Sequence, residues 1–261
     1  MKLNDYYLNY PSFLGHVKEG DSAFIYNKSI ETEISNMTFL EYIIFCSTGI
    51  DVTNENKEIK EMLEFVMKIT PYTDIRIWPN RMTALSGNFQ NSLSSGIISG
   101  TSSFDSNFFG GKSSLKIYDM IDNLKETNNF HNSVIKQRPL YGFSRPNGAP
   151  DERRNFFINK FGLKEILKYE EFELIFKAEE ILLKEKNVKL NISSIFTVLL
   201  RKLNFKKNDI SAFATILFTS TLPLIYIHNR ENIKNGSFLP IKSEDIIYEG
   251  DYKIGRKWED D

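Results

Sequence analysis

Apolar residues recur at three- and four-residue spacing along almost the whole chain, and no alternation of apolar and polar positions runs long enough to build a sheet. The pattern predicts a mainly α-helical protein. Asn36 and Thr38 offer N-caps to an apolar run through Phe39, Leu40, Tyr42, Ile43 and Ile44, and Gly49 supplies a stop. A second helix is predicted over 57–69, where Ile59, Met62, Leu63, Phe65 and Val66 share a face and Pro71 ends the run. Pro79 suits a first helical turn, and residues 80–100 carry many small side chains, among them Ala84, Gly87, Gly96 and Gly100, which let a neighbouring backbone come close. Gly110 and Gly111 break the chain before a helix over 113–124. Residues 128–150, with Pro139, Gly142, Pro146, Gly148 and Pro150, read as one long irregular segment, and a loop of that length inside a domain is usually functional. Helices resume at 151–160, 170–186, 194–203 and 209–228, the last two apolar enough to be core, while 238–241 and 246–248 look extended.

Composition narrows the function classes. The 261 residues suffice for one large domain or two modest ones. With 33 Lys plus Arg against 34 Asp plus Glu, the chain lacks the clustered positive excess that nucleic-acid binding requires, so any bound anion must be held by local arginines. Cys46 is the sole cysteine, which excludes an intrachain disulfide and a cysteine zinc cluster and fits a cytoplasmic setting; on an apolar helix face it is expected to be buried and inert. The start MKLNDYYLNYPSFLGH has neither the basic beginning nor the apolar run of a secretory signal and is expected to belong to the mature chain. The most apolar stretch, 212–227, is short for a membrane span and contains Thr215, Thr219, Ser220, Thr221 and Pro223, so a buried helix and no membrane partner are expected. No P-loop, dinucleotide fingerprint, nucleophile elbow or HExxH motif occurs, and His16, His131 and His228 stand far apart, so no metal cofactor is expected.

Four segments carry a resemblance. SFDSNFFGGKSSLKIYDMIDNL (103–124), RPLYGFSRPNGAPDERR (138–154), NISSIFTVLLRKLNF (191–205) and TLPLIYIHNRENIKNGSFLPIKSEDIIYEG (221–250) are similar, in order and spacing, to segments of the citrate synthase superfamily. That superfamily includes citrate and 2-methylcitrate synthases and citryl-CoA lyase. IWPNRMTALSGN (77–88) and the C-terminal part resemble a short, divergent branch of it. The resemblance implies an all-α fold with a large helical domain, 1–111 and 205–261, a smaller inserted domain, 112–204, a cleft between them, and a dimer. It also implies a CoA thioester and a small oxo acid or polycarboxylate as partners.

The motifs depart from the family where its chemistry resides. Phe109 stands at the position of the histidine that donates to the thioester carbonyl, Ser193 at that of the aspartate that removes the α-proton, and Arg145 at that of the second histidine. Phenylalanine donates no hydrogen bond, and an unaided serine does not replace a carboxylate base, whose help is typically worth about 100- to 10,000-fold. Arg153 falls on the arginine that clamps a substrate carboxylate, whereas a further family arginine is Thr221 here. The loop with Lys136, Arg138, Tyr141 and Gly142 is where the resemblance places CoA. Candidate catalytic residues are therefore Arg145, Asp151 and Ser193, and candidate substrate-binding residues are Arg153, Phe109 and Asn191.

Each has a plainer alternative. Asp151 is either a relocated base or the N-cap of the helix it precedes, and the cap is the simpler account. Ser193 either meets ligand or caps its helix. His228 reads as a structural histidine near the end of a buried helix, Trp78 as packing at a helix start, and Phe104 and Phe108 as core or cleft lining. Two function classes follow: an acyltransferase- or lyase-type enzyme with altered catalytic groups, or a catalytically inactive member of the fold that binds ligand or serves as the scaffold subunit of a homodimer or of a heterodimer with a paralogue.

Overall fold

A computed structural model describes residues 14–18, 20, 22–104, 111–137, 139–143, 145, 150–232 and 244. Its first feature departs from the sequence expectation. Strands β1 (Gly15–Lys18), β2 (Ser22–Ile25) and β3 (Lys28–Ser29) form an antiparallel meander. Gly15 pairs with Ile25 and Lys18 with Ser22, and Phe24 pairs with Ser29. Strands of two to four residues are too short to leave a readable alternation. The extended pieces expected at 238–241 and 246–248 lie outside the described residues.

The remaining regular elements among the described residues are helical. Helix α1 (Phe39–Thr48) opens on a capping box between Thr38 and Glu41 and ends at Gly49, whose φ of 75° is the left-handed turn that glycine adopts without strain. Helix α2 (Lys57–Ile69) buries Ile59, Met62, Leu63 and Val66, one stripe at helical spacing. Helices α3 (Trp78–Asn88) and α4 (Leu93–Thr101) divide the small-residue segment, with Gln90 at positive φ in the turn between them. Then come α5 (Gly111–Glu126) and α6 (Phe130–Lys136). Helix α6 falls inside the stretch expected to be irregular; Asn129 caps it, and Val134 is its buried residue. Seven residues with one buried apolar position are too few to show a period.

Helices α7 (Glu152–Phe161), α8 (Leu163–Ile166) and α9 (Glu170–Lys186) lead to α10 (Ile192–Lys202), in which Ile192 and Ser194 through Leu200 are all buried. A helix apolar around its circumference belongs at a centre. Helix α10 packs against α2, α5 and α9, and the main core joins it to α1, α7 and α11 (Lys207–Thr219). The apolar run expected as one helix breaks at 220–221 before α12 (Leu222–Asn232). The combined stretch Lys207–Asn232 is longer than expected, and by length and composition it could cross a membrane. Its apolar residues are nonetheless shared between two cores, with Ile210, Phe213, Ala214 and Leu217 in the main one and Leu222 and Ile225 in the second.

That second core, with Ala84 and Phe104, lies where α3, α4 and α12 meet. Close approach there depends on missing side chains. A Cβ at Gly87 would lie 2.6 Å from the Tyr226 carbonyl oxygen and 3.3 Å from the Arg230 nitrogen. Gly87→Ala is expected to lower stability by about 1–3 kcal/mol despite alanine's better helix propensity. The shift of the urea midpoint measures it, and an unchanged midpoint would show that α3 and α12 are not in backbone contact.

Candidate functional site

The N-termini of α7 and α10 converge on one carboxylate. Asp151 caps α7, as the simpler sequence reading held, and is only 2% exposed. Its Oδ1 accepts from the backbone N–H of Arg153 at 3.2 Å, from Arg153 Nε at 2.8 Å and from Arg145 Nη2 at 3.0 Å. Its Oδ2 accepts from Arg153 Nη2 at 2.8 Å and from the backbone N–H of Ile192 at 3.0 Å. Burial alone would raise the Asp151 pKa. The Arg153 hydrogen bonds, the Arg153 charge, the Ile192 N–H and the Arg145 charge together hold it below the ordinary carboxylate value. Five donors on two oxygens leave this group poorly suited to take a proton.

The arginines are held in turn. Arg153 donates through Nη1 to the Thr70 carbonyl at 3.1 Å, where α2 ends, and its guanidinium lies 5.0 Å from the centre of the Tyr72 ring. Arg145 also pairs with Glu152 at 2.8 Å, and Tyr72 donates its hydroxyl to the other oxygen of Glu152 at 2.8 Å. Burial, followed by the hydrogen bond to Glu152, pushes the Tyr72 pKa up to about 12. The cluster thus sets two cations against two anions. Exposure of the side chains rises from Asp151 at 0% through Arg153 at 16% and Arg145 at 27% to Glu152 at 44%, so the buried pair lies beneath an accessible one.

Asn191 completes the α10 terminus. It is the N-cap of α10, accepting from the Ser193 N–H at 2.9 Å, so Ser193 is not the cap; Ser193 is half-buried in the first turn. The backbone N–H of Asn191 donates to the Gly142 carbonyl at 2.9 Å, and Ser194 Oγ donates to that same oxygen at 2.9 Å. Gly142 has φ +80°, and a Cβ there would run into Ser194 Oγ. The 139–143 loop is therefore pinned to the end of α10 that Asp151 holds.

Bordered by Pro139 and Tyr141 of that loop, a cavity of about 540 Å³ opens beside α5 and α6. Lys116, Lys136, Tyr141 and Asn123 are among its lining residues. Lys116 and Lys136 are exposed, Tyr141 is half-buried, and Asp119 adds a carboxylate to the same lining. Phe109 and Arg138 lie outside the described residues.

Other side chains depart from expectation. Cys46 is exposed rather than buried. His228 is also exposed and lies 3.3 Å from Asn232 Nδ2. Trp78 is 66% exposed with Arg81 above its ring. Phe104 does belong to the second core. Sequence reasoning missed Thr70, Tyr72, Lys116 and the charge of Glu152. Glu152 alone left a signal, as an acidic residue between Asp151 and Arg153. Among the described residues no group of three or more His, Cys, Asp or Glu could hold a metal ion.

No family model matches the chain, and no curated protein matches it by sequence. Solved structures do. Citryl-CoA lyase from Hydrogenobacter thermophilus superposes with a TM-score of 0.75 at 15% identity, over 96% of this chain and 98% of that one. The D541A mutant of Methanosaeta concilii ATP citrate lyase, in complex with (3S)-citryl-CoA, gives 0.71 at 15% identity over 92% of this chain, which spans only 42% of that protein. Citrate synthase from Thermotoga maritima gives 0.61 at 16% identity, over 85% and 60%. The chain has the citrate synthase fold, a helical architecture that here carries a small sheet.

Removing the Arg153 side chain would leave the buried carboxylate short of two of its five donors. Arg153→Ala is expected to cost about 3–5 kcal/mol in urea unfolding. Because the folded pKa of Asp151 is depressed, its contribution is complete above the ordinary Asp value and is lost as pH falls through the depressed one. Asp151→Asn should therefore flatten the fall in stability below about pH 4, measured by unfolding at a series of pH values. An unaltered slope would mean the ion pair does not form.

Proposed function

We propose that this chain is a citrate synthase-like acyltransferase- or lyase-type protein that binds a CoA thioester and a small oxo acid or polycarboxylate, with altered catalytic residues. One observation carries the reading: the two-arginine cluster of Arg145 and Arg153 lies at the end of α10 and shares the Gly142 loop with the lysine-lined cavity. A carboxylate would meet Arg153 and Arg145, and Arg145 would polarise an oxo group. Asp151 positions both guanidinium groups. Ser193, Asn191 and Phe109 are assigned to the substrate side of the cleft, and Lys136, Arg138, Tyr141 and Gly142 to CoA. The near full-length likeness to a citryl-CoA lyase structure supports this class.

The same proposal includes a small domain, 112–204, inserted in a large one. The tight contact of Gly111 with Ser211, where a Cβ would meet Oγ at 2.9 Å, supports a joint at that boundary. It also includes a dimer, through α3, α4 and α12. There Trp78, Met82, Ile98, Leu224 and Ile227 are exposed, and a second copy or a paralogue would cover them. A cytoplasmic location follows from the metabolic class and the single cysteine. A second reading, a catalytically inactive ligand-binding or scaffold subunit, is favoured by the saturation of Asp151 and by serine at position 193.

Isothermal titration with acetyl-CoA and CoA tests the reading. Saturable binding is expected, and because exposed ion pairs are worth up to ~1 kcal/mol each, Lys116→Ala with Lys136→Ala should weaken it about tenfold. No binding at millimolar ligand would overturn the CoA assignment. Where CoA binds, cleavage of citryl-CoA separates the enzyme from the inactive subunit.

A further inference from the structure

Glu152 is the most exposed member of the ion cluster. It follows Asp151 at the first position of α7, where a carboxylate is favoured by the helix dipole. Instead of pointing freely into water, its two oxygens are divided between Arg145 Nη2 and the Tyr72 hydroxyl, both at 2.8 Å. Tyr72 comes from the segment after α2 and Arg145 from the loop before α7, so two other pieces of chain hold this carboxylate at the mouth of the cluster. Asp151 already neutralises one positive charge from beneath, and Glu152 neutralises the second from above. Arg145, Arg153 and Glu152 thus have the composition of an arginine site with a carboxylate ligand in place, the ligand being supplied by the protein.

We propose that Glu152 is a displaceable internal counter-anion that occupies the arginine site and competes with any carboxylate ligand for Arg145. The inference rests on the reading of Arg145 and Arg153 as a carboxylate site. An incoming carboxylate takes over the Arg145 hydrogen bond while Glu152 swings outward, a movement its 44% exposure permits. The ligand must therefore offer more than one acceptor group, since a single carboxylate would only exchange with an equal. This selects polycarboxylates and oxo acids over simple fatty or acetic acids. Tyr72 sets how firmly the internal anion is held.

The test is titration of wild type, Glu152→Gln and Tyr72→Phe with citrate and, separately, acetate, with thermal unfolding as a check on folding. Glu152→Gln keeps the shape but removes the competing charge, and is expected to bind citrate about three- to tenfold more tightly, the scale of a partly exposed ion pair. It should also gain measurable acetate binding, and Tyr72→Phe should shift citrate affinity the same way by a smaller factor. Citrate binding that is equal in wild type and Glu152→Gln, or weaker in the variant, would overturn the competition while leaving the carboxylate site standing. No citrate binding by any of the three proteins would overturn the site itself and this inference with it.

Discussion

A buried carboxylate that must be fully satisfied organises this end of the molecule. Asp151 sits among apolar helices with no access to water, where an unpaired charge is prohibitive, so its neighbours have to supply every hydrogen bond. Two helix N-termini bring backbone N–H groups to it, and two guanidinium groups close the remaining directions. Through Arg153 the requirement reaches the end of α2, and through Ile192 it fixes where α10 begins. Residues far apart in sequence are thereby held to one geometry, whatever chemistry the cluster performs.

This constraint also couples the charged residues around it. In the sequence Asp151 and Arg153 stand two positions apart and Arg145 lies six positions before Asp151. In the structure the three act as a unit: Asp151 sets the orientation of both cations, and Arg145 is the more exposed of them. Two positive charges stand near the α10 terminus, and the negative charges of Asp151 and Glu152 stand with them.

Helical elements with a long apolar stripe were legible in the sequence. The boundaries of α2 and α9 are those the pattern predicts, and α1 begins and ends at the capping residues that sequence chemistry singles out. Short elements were not legible. The meander offers too few residues per strand, α6 too few apolar positions, and the break between α11 and α12 is hidden because apolar residues continue across it. At the site, Asp151 and the arginines could be named from their motif. Thr70 and Tyr72 reach them across about eighty positions, a proximity only the fold creates. Exposure was the weakest inference: Cys46, Trp78 and His228 all lie at the surface because the faces that carry them turn away from the two cores.

The break at 220–221 gives the chain a seam. Helix α11 is welded into the main core by Phe213 and Leu217, whereas α12 is interleaved with α3 and α4 around the few residues of the second core. Free energy for local opening is therefore unevenly distributed. By that distribution the backbone amides of α3, α4 and α12 are expected to exchange hydrogen as one unit, sooner than those of α5, α9 and α10. A ligand at the α10 terminus would protect the latter group and leave the former to open at its own rate.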